Sequence, residues 1–327
     1  MTLAVGVVGA GIMGADHART LAGAISGATL AGIADPDAAR AGQVAAGVDG
    51  CRAYADPVEL IADVDAVVVA SPDDTHEAYT LACLQAGRPV LCEKPLATTA
   101  EAALRLVRAE EATGRPLVQV GFMRRFDPGY RELKRLLDAD ELGGVLLVHC
   151  VHRNGSAPAT FGAEQLLTSS ATHEIDAARW LLGEEVTEVT VHQPRSSGEA
   201  PAGVGDPLFV VLRTASGALV DVEVFVNARY GYDVRCEVVG ERGTASLVPP
   251  APVAVRRDGA ERLAIPADWR SRFAAAYRHE LQTWVDGVLA GEVRGPTAWD
   301  GYVATAVAEA CIASLRTGAS VDVSLAG

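Results

Sequence analysis

Lysine is almost missing from this chain. Its 327 residues include 28 basic ones, but only Lys94 and Lys134 are lysines. Positive charge is scarce and unclustered against 42 acidic residues, and the formal net charge is −14. That balance argues against a nucleic-acid partner or an anionic membrane surface. No apolar run approaches the roughly 20 residues a membrane-spanning helix needs. The start, "MTLAVGVVGAG", has no basic stretch of the kind that opens a secretory signal. Cysteines 51, 83, 92, 150, 236 and 311 form no Cys-x-x-Cys pair and no Cys/His cluster. Zinc or other metal spacing is therefore lacking, and the thiols read as reduced packing residues of a cytoplasmic protein. A Gly-x-Ser-x-Gly elbow and internal repeats are also absent.

What is present begins at once. "LAVGVV" is an apolar run of the length of a buried parallel strand. Gly9, Gly11 and Gly14 follow in Gly-x-Gly-x-x-Gly spacing around Ile12 and Met13, and an amphipathic helical pattern continues from them. Such glycines allow a tight turn, close approach of backbone to a pyrophosphate, and packing of helix on strand. The next strand, "ATLAGIAD", ends at Asp35. A carboxylate there accepts hydrogen bonds from ribose hydroxyls and repels a 2′-phosphate, so NAD is the expected cofactor rather than NADP. Arg40, a helical turn further on, is the one residue that complicates that preference.

Strand and helix patterns then alternate: "DAVVVAS", "THEAYTLACLQAG", "PVLCEK", a helix near 98–113, and "LVQVGF". This predicts a doubly wound parallel sheet, an α/β Rossmann domain over residues 1–122. The loop "ASPDDTH" leaves a strand at its carboxyl end, where ligands bind in such sheets, and this puts Ser71 and Pro72 on the nicotinamide side. His76 reads either as a cofactor-side residue or as the start of a helix, with the second favoured. Beyond residue 122, strand-like alternation recurs at 145–152, 186–193, 207–214, 218–227, 232–239, 244–248 and 252–257. Gly/Pro/Ser turns such as "PRSSGEAPAGVGDP" join these runs, and helices close the chain at 271–290 and 297–316. Residues 123–327 are expected to form an α+β domain on a large, mostly antiparallel sheet. Its open face suggests a homo-oligomer, a dimer or tetramer.

"GAGIMG", "ADPD", "SPDDTH", "EKPL", "GFMRRFDPGY", "VHRN" and "HEIDAARWLLGEE" occur in this order along the chain. In that order they resemble the glucose–fructose oxidoreductase-like (Gfo/Idh/MocA) dehydrogenases, most nearly their inositol 2-dehydrogenase branch. The resemblance covers nearly the whole chain. It implies that Lys94 is the catalytic lysine, touching the substrate hydroxyl and the nicotinamide ribose, with Glu93 beside it. Chemistry supports the residue type. Oxidising an alcohol requires a group that accepts the hydroxyl proton as hydride departs. Guanidinium does not lose its proton usefully, whereas an ammonium does once burial and a nearby cation weaken it. Lys134, in "YRELKRLLD", reads as part of a solvated helix face.

The resemblance also places His173 beside the lysine as proton acceptor or relay. Taken alone, a histidine opening the helix "THEIDAARWLLG" reads as a capping or packing residue. Asp176, one turn on, either orients it or favours the helix start through the dipole. Inositol dehydrogenases commonly carry an aspartate four residues before this histidine; here the residue is Ser169. A serine lacks the charge that would stabilise an imidazolium, and Ser169 or Ser170 also reads as a helix cap. Arg124, His152, Asn154 and Tyr232 are substrate-contact candidates and read equally as satisfied structural polar groups.

The expected activity is NAD-dependent oxidation of a ring secondary alcohol of a cyclitol, myo-inositol or a close relative, to the ketone. One alternative is an aminocyclitol dehydrogenase or keto-sugar reductase of a biosynthetic pathway, and another is a dinucleotide-binding sensor without turnover.

Overall fold

The computed structural model describes residues 2–158, 161–201, 204–248 and 253–326. Pro252 of the expected strand at 252–257, and Ala202 and Gly203 of the expected turn, lie outside them. The first apolar runs form strands β1 (Leu3–Val8), β2 (Ala28–Ala34), β3 (Arg52–Tyr54), β4 (Ala66–Val69), β5 (Val90–Glu93) and β6 (Val118–Gly121). All pair in parallel, in the order β3-β2-β1-β4-β5-β6. β4, β5 and β6 are buried along their whole length, as strands covered on both faces must be. Helices α1 (Ile12–Ala24), α2 (Ala38–Ala45), α3 (Pro57–Asp63), α4 (His76–Gln85) and α5 (Ala100–Ala112) connect them. Local chemistry sets several of their starts. Asp37 accepts from the Ala39 and Arg40 amides, Asp56 precedes Pro57 and accepts from Val58, and Thr99 accepts from Ala102.

The chain divides into two compact units, residues 1–126 with 275–305, and residues 127–274 with 306–327. The sequence reading gave 275–305 wholly to the second domain. The reason lies in the first core, where Leu281, Trp284 and Val285 pack with Val5, Val7, Leu21, Leu30, Ile33, Val68 and Leu91. These three come from α9 (Trp269–Ala290), whose backbone kinks at Phe273, next to the boundary between units.

The second unit opens with α6 (Pro128–Asp138), capped by Asp127. Its large sheet holds β7 (Val145–Arg153), β8 (Val186–His192), β9 (Leu208–Thr214), β10 (Leu219–Phe225), β11 (Asp233–Gly240), β12 (Gly243–Ser246) and the short β15 (Val321–Asp322). Their order is β12-β11-β7-β10-β9-β8-β15, antiparallel throughout except for the parallel β10–β7 pair. A separate hairpin pairs β13 (Ala254–Arg257) with β14 (Ala260–Leu263). The long α10 (Ala298–Thr317) runs through both units.

Between β7 and β8 lies one continuous helical stretch: α7 (Ala163–Gln165), a π-helical turn (Leu166–Ala171) and α8 (Thr172–Leu182). Two readings are corrected by it. His173 does not open a helix, because the backbone is already helical from residue 163. Ser169 and Ser170 do not cap one either; they lie inside the π turn, and no side chain caps α8. The dipole reading of Asp176 falls with them, since α8 has no free amino end and Asp176 is fully buried. An extra residue looped into a helix leaves no mark in a 3.6-residue pattern.

The turn from β1 into α1 has no room for a side chain at Gly9 or Gly14. Gly9 takes φ +98°, and a Cβ on Gly14 would stand 1.8 Å from the Gly9 carbonyl oxygen, against backbone that cannot give way. Gly14→Ala is therefore expected to destabilise the chain by about 3 kcal/mol or more, read as the shift in a denaturant-unfolding midpoint. Unchanged stability would contradict this close approach.

Candidate active site

In the first unit, the functional side chains gather where β1, β2, β4 and β5 end. The Gly9 amide donates to the Ala34 carbonyl, which joins the glycine turn to the end of β2. Asp35, buried there, uses both carboxylate oxygens: one accepts from the Ala10 amide at 2.8 Å and the other from the Asp37 amide at 2.8 Å. Arg40 lies 3.6 Å from Asp35 and 3.2 Å from Asp37, a half-exposed guanidinium shared between two carboxylates. Its charge is answered twice over, so the rim stays acidic. At Gly11, by contrast, a Cβ would meet nothing within 4 Å. Open space at the amino end of α1, beside a sterically required glycine turn and a buried carboxylate at the end of β2, fits a dinucleotide. Ile12, largely exposed, stands at the same helix end, followed by Met13.

Lys94 follows β5, and the residues on either side of it are fixed. Glu93 is buried, and its carboxylate accepts from His17 Nε2 at 2.7 Å; the carboxylate's acceptor-only chemistry assigns the proton to that nitrogen. Its other oxygen lies 3.3 Å from the Lys94 amide. Burial pushes the Glu93 carboxyl up, but the His17 hydrogen bond and the nearby charges of His17, Lys94 and His76 outweigh burial and hold it below its ordinary value. His17 itself is buried on α1, with the Tyr277 ring edge-on at 5.9 Å. No motif singled out His17. Its spacing from Gly14 places it one turn inside α1, on the face turned to the sheet, and that was the available signal.

On the other side, His76 is buried, and its two ring nitrogens lie 2.7 Å from the Pro95 carbonyl and 2.9 Å from the Ser71 carbonyl. It does begin α4, as the sequence suggested, but it also links the loop after β4 to the lysine loop. Ser71 Oγ and Thr75 Oγ1 share a hydrogen bond of 2.6 Å, and Pro72 leads into the short 3₁₀ turn Asp73–Thr75. The Lys94–Pro95 bond is cis. Arg124 lies buried in the 3₁₀ turn Met123–Phe126, directly after β6. Cys92 is buried within β5, as a packing residue would be. Lys134 lies on α6 and pairs with Asp138 at 2.6 Å.

The second unit brings three of the predicted residues together around the end of β7. The His152 and His173 rings stack with centroids 6.3 Å apart, and Tyr232 meets His152 edge-on at 5.8 Å. Tyr232 is backed in turn by Phe273 at 6.2 Å. Glu174, fully buried, places both carboxylate oxygens 3.1 Å from His152 Nδ1. A carboxylate only accepts, so that contact places a proton on His152 Nδ1. Sequence reasoning missed Glu174, because a glutamate one residue from a candidate histidine reads as helix surface; only its burial reveals a role. Asn154, just past β7, has its Oδ1 buried with no hydrogen-bond partner among the described residues. Ser169 lies in the π turn, one turn before His173. Among the described residues no group of His, Cys, Asp and Glu could hold a metal, and no helix is long and apolar enough to cross a membrane.

Comparison with known proteins agrees with this architecture. Residues 3–122 match the Gfo/Idh/MocA profile described as an oxidoreductase family, NAD-binding Rossmann fold, and residues 134–323 match the family's C-terminal alpha/beta domain. The chain is 58% identical to inositol 2-dehydrogenase 1 of Saccharopolyspora erythraea, over 100% of this chain and 98% of that protein. It is 45% identical to the inositol 2-dehydrogenase of Burkholderia cenocepacia, again over 100% and 98%. Its fold superposes on the myo-inositol dehydrogenase of Lactobacillus casei, solved with NAD(H) and myo-inositol, at a TM-score of 0.94 and 36% identity, covering 100% of this chain and 98% of that one. The chain belongs to the Gfo/Idh/MocA oxidoreductase family.

The open space at Gly11 makes a clean test of the cofactor cradle. Gly11→Ala should leave the unfolding free energy within about 0.5 kcal/mol, because its Cβ meets no protein atom. It should weaken NAD⁺ binding by about tenfold or more, read by titration calorimetry.

Proposed function

We propose that this chain is an NAD-dependent inositol 2-dehydrogenase that oxidises a ring secondary alcohol of myo-inositol or a close relative to the ketone. The observation that carries the reading is the pairing of a dinucleotide cradle with a lysine whose two neighbours are fixed by buried histidines. Full-length identity of 58% to an inositol 2-dehydrogenase supplies the substrate class. Gly9, Gly11, Ile12, Met13, Gly14, Asp35, Ser71 and Pro72 would hold NAD⁺, which accepts the hydride. Lys94 takes the hydroxyl proton as the C–H bond breaks, and His173 assists it as relay. His152, Asn154, Tyr232 and Arg124 orient the polyol. Glu174, holding His152 through Nδ1, orients the ring for that role.

The chain is proposed to act in the cytoplasm as a dimer or tetramer. The outward residues of the large sheet support self-association: Phe209, Val211, Val151 and Phe225 lie on the face opposite the buried positions of their strands, and Phe209 is 38% exposed. A second substrate reading rests on Ser169. A serine where the related enzymes commonly carry aspartate is shorter and uncharged, and the pocket it reshapes one turn before His173 would suit an aminocyclitol or a keto-sugar.

The deciding assay follows reduced-cofactor absorbance at mildly alkaline pH across inositols, aminocyclitols and hexoses. Turnover on myo-inositol supports the first reading; turnover confined to another ring alcohol supports the second. Cofactor binding with silence on every compound would mark a sensor.

Lys94→Arg should lower kcat by about 10³-fold while NAD⁺ affinity stays within about threefold. Retained turnover would remove Lys94 from the proton step. Ser169→Asp should raise kcat/KM on myo-inositol by about tenfold. An unchanged value would mean that His173 works without a carboxylate in the π turn.

A further inference from the structure

His76 has two contacts that a neutral imidazole cannot make together. Its Nδ1 lies 2.7 Å from the Pro95 carbonyl oxygen and its Nε2 2.9 Å from the Ser71 carbonyl oxygen, and the residue is only 1% exposed. A neutral ring has one N–H and one lone pair. Either tautomer would press that lone pair against a carbonyl oxygen at hydrogen-bonding distance, buried from any water that could relieve it. The imidazolium has two N–H groups and satisfies both carbonyls.

We infer that His76 is a positioning residue for Lys94: it is held as a doubly protonated imidazolium that staples the lysine loop to the loop after β4. The inference rests on the assignment of Lys94 as the proton acceptor. The staple joins two loops with different tasks. Ser71 belongs to the segment that leaves β4, while Pro95 is peptide-bonded to the lysine itself. With Glu93 held on His17 from the other side, the backbone of Lys94 is anchored before and after the side chain. Fixing a catalytic group in this way lowers the entropic share of the barrier.

The surroundings of the ring suit a cation. The groups that face it are Cys92 of β5, Asp73 of the 3₁₀ turn, the Ser71 and Pro95 carbonyls, and, at longer range, Glu93. Burial alone would drive the proton off. The Cys92 sulfur beside the ring, the Pro95 carbonyl and Asp73 oppose it, and the imidazole is held above its ordinary value. A fixed positive charge beside the lysine loop also disfavours a second one, so it helps the Lys94 ammonium to release its proton.

The experiment uses the full chain with histidine labelled at its ring nitrogens. In the cofactor-free protein, ¹⁵N NMR should show one histidine with both nitrogens protonated from neutral to mildly alkaline pH, and that signal should vanish in His76→Gln. A neutral His76 over this range overturns the inference, and this reading needs no variant to fold and no turnover. His76→Gln, whose amide has two N–H bonds and no charge, tests the catalytic half, with His76→Asn as a second variant. The expected result is a fall in kcat of about 10- to 100-fold, with NAD⁺ affinity within about threefold. The acid limb of the kcat profile should also move to higher pH, because without the neighbouring cation Lys94 keeps its proton longer. A variant that loses activity with no shift in the profile would reduce His76 to a structural role. If no polyol is turned over by the parent chain, the functional reading fails while the NMR result still judges the staple.

Discussion

The carboxylate of Glu93 is the point on which the first unit's site depends. One of its oxygens accepts from a histidine on the cofactor helix, and the other lies near the amide of the lysine. Helix α1 and strand β5 are thereby tied by a buried hydrogen bond from an imidazole to a carboxylate. Such a pair adds little net stability, because both groups surrender their hydration. Removing one partner alone leaves a charge stranded and costs about 3–5 kcal/mol. Its value is therefore in alignment. The helix that follows the glycine turn cannot shift relative to the strand before Lys94 without breaking it.

The first unit was legible because its physics is local. A buried parallel strand is an apolar run, a glycine turn has fixed spacing, and a carboxylate at the end of β2 falls a set distance downstream. The strand β3 escaped notice because it has three residues, two of them exposed. The return of 275–305 to the first unit escaped it for a different reason. The apolar side of α9 is plain in the sequence, but nothing in a single helix says which sheet will receive it. The site divides along the same line. Gly9, Gly11, Gly14, Asp35, Lys94 and His173 announce themselves through motif and family resemblance. His17 and Glu174 do not, because their roles consist of facing another buried group across 76 and 22 residues of chain respectively.

The π turn shows how a small backbone irregularity alters the chemistry of a motif. Read at 3.6 residues per turn, Ser169 and His173 would sit one above the other at a helix start. The structure instead places the serine within a widened turn of an uninterrupted helix, where it caps nothing. Ser169 is thus not a helix cap, and its place in the π turn sets it one turn before His173. Across the same unit, the stacked His152 and His173 and the edge-on Tyr232 form an aromatic and polar wall. Glu174 holds the His152 ring from behind.

The path of the chain between the two units carries an evolutionary consequence. The polypeptide leaves the first unit after residue 126, returns for 275–305, and leaves again. A gene cut at residue 126 would encode a nucleotide-binding half stripped of Leu281, Trp284 and Val285, which belong to its core. Shuffling by a single crossover therefore cannot hand this half to a new partner. Exchange of the whole first unit would require crossovers at residues 126, 275 and 305 together, so this scaffold favours point changes over the exchange of domains.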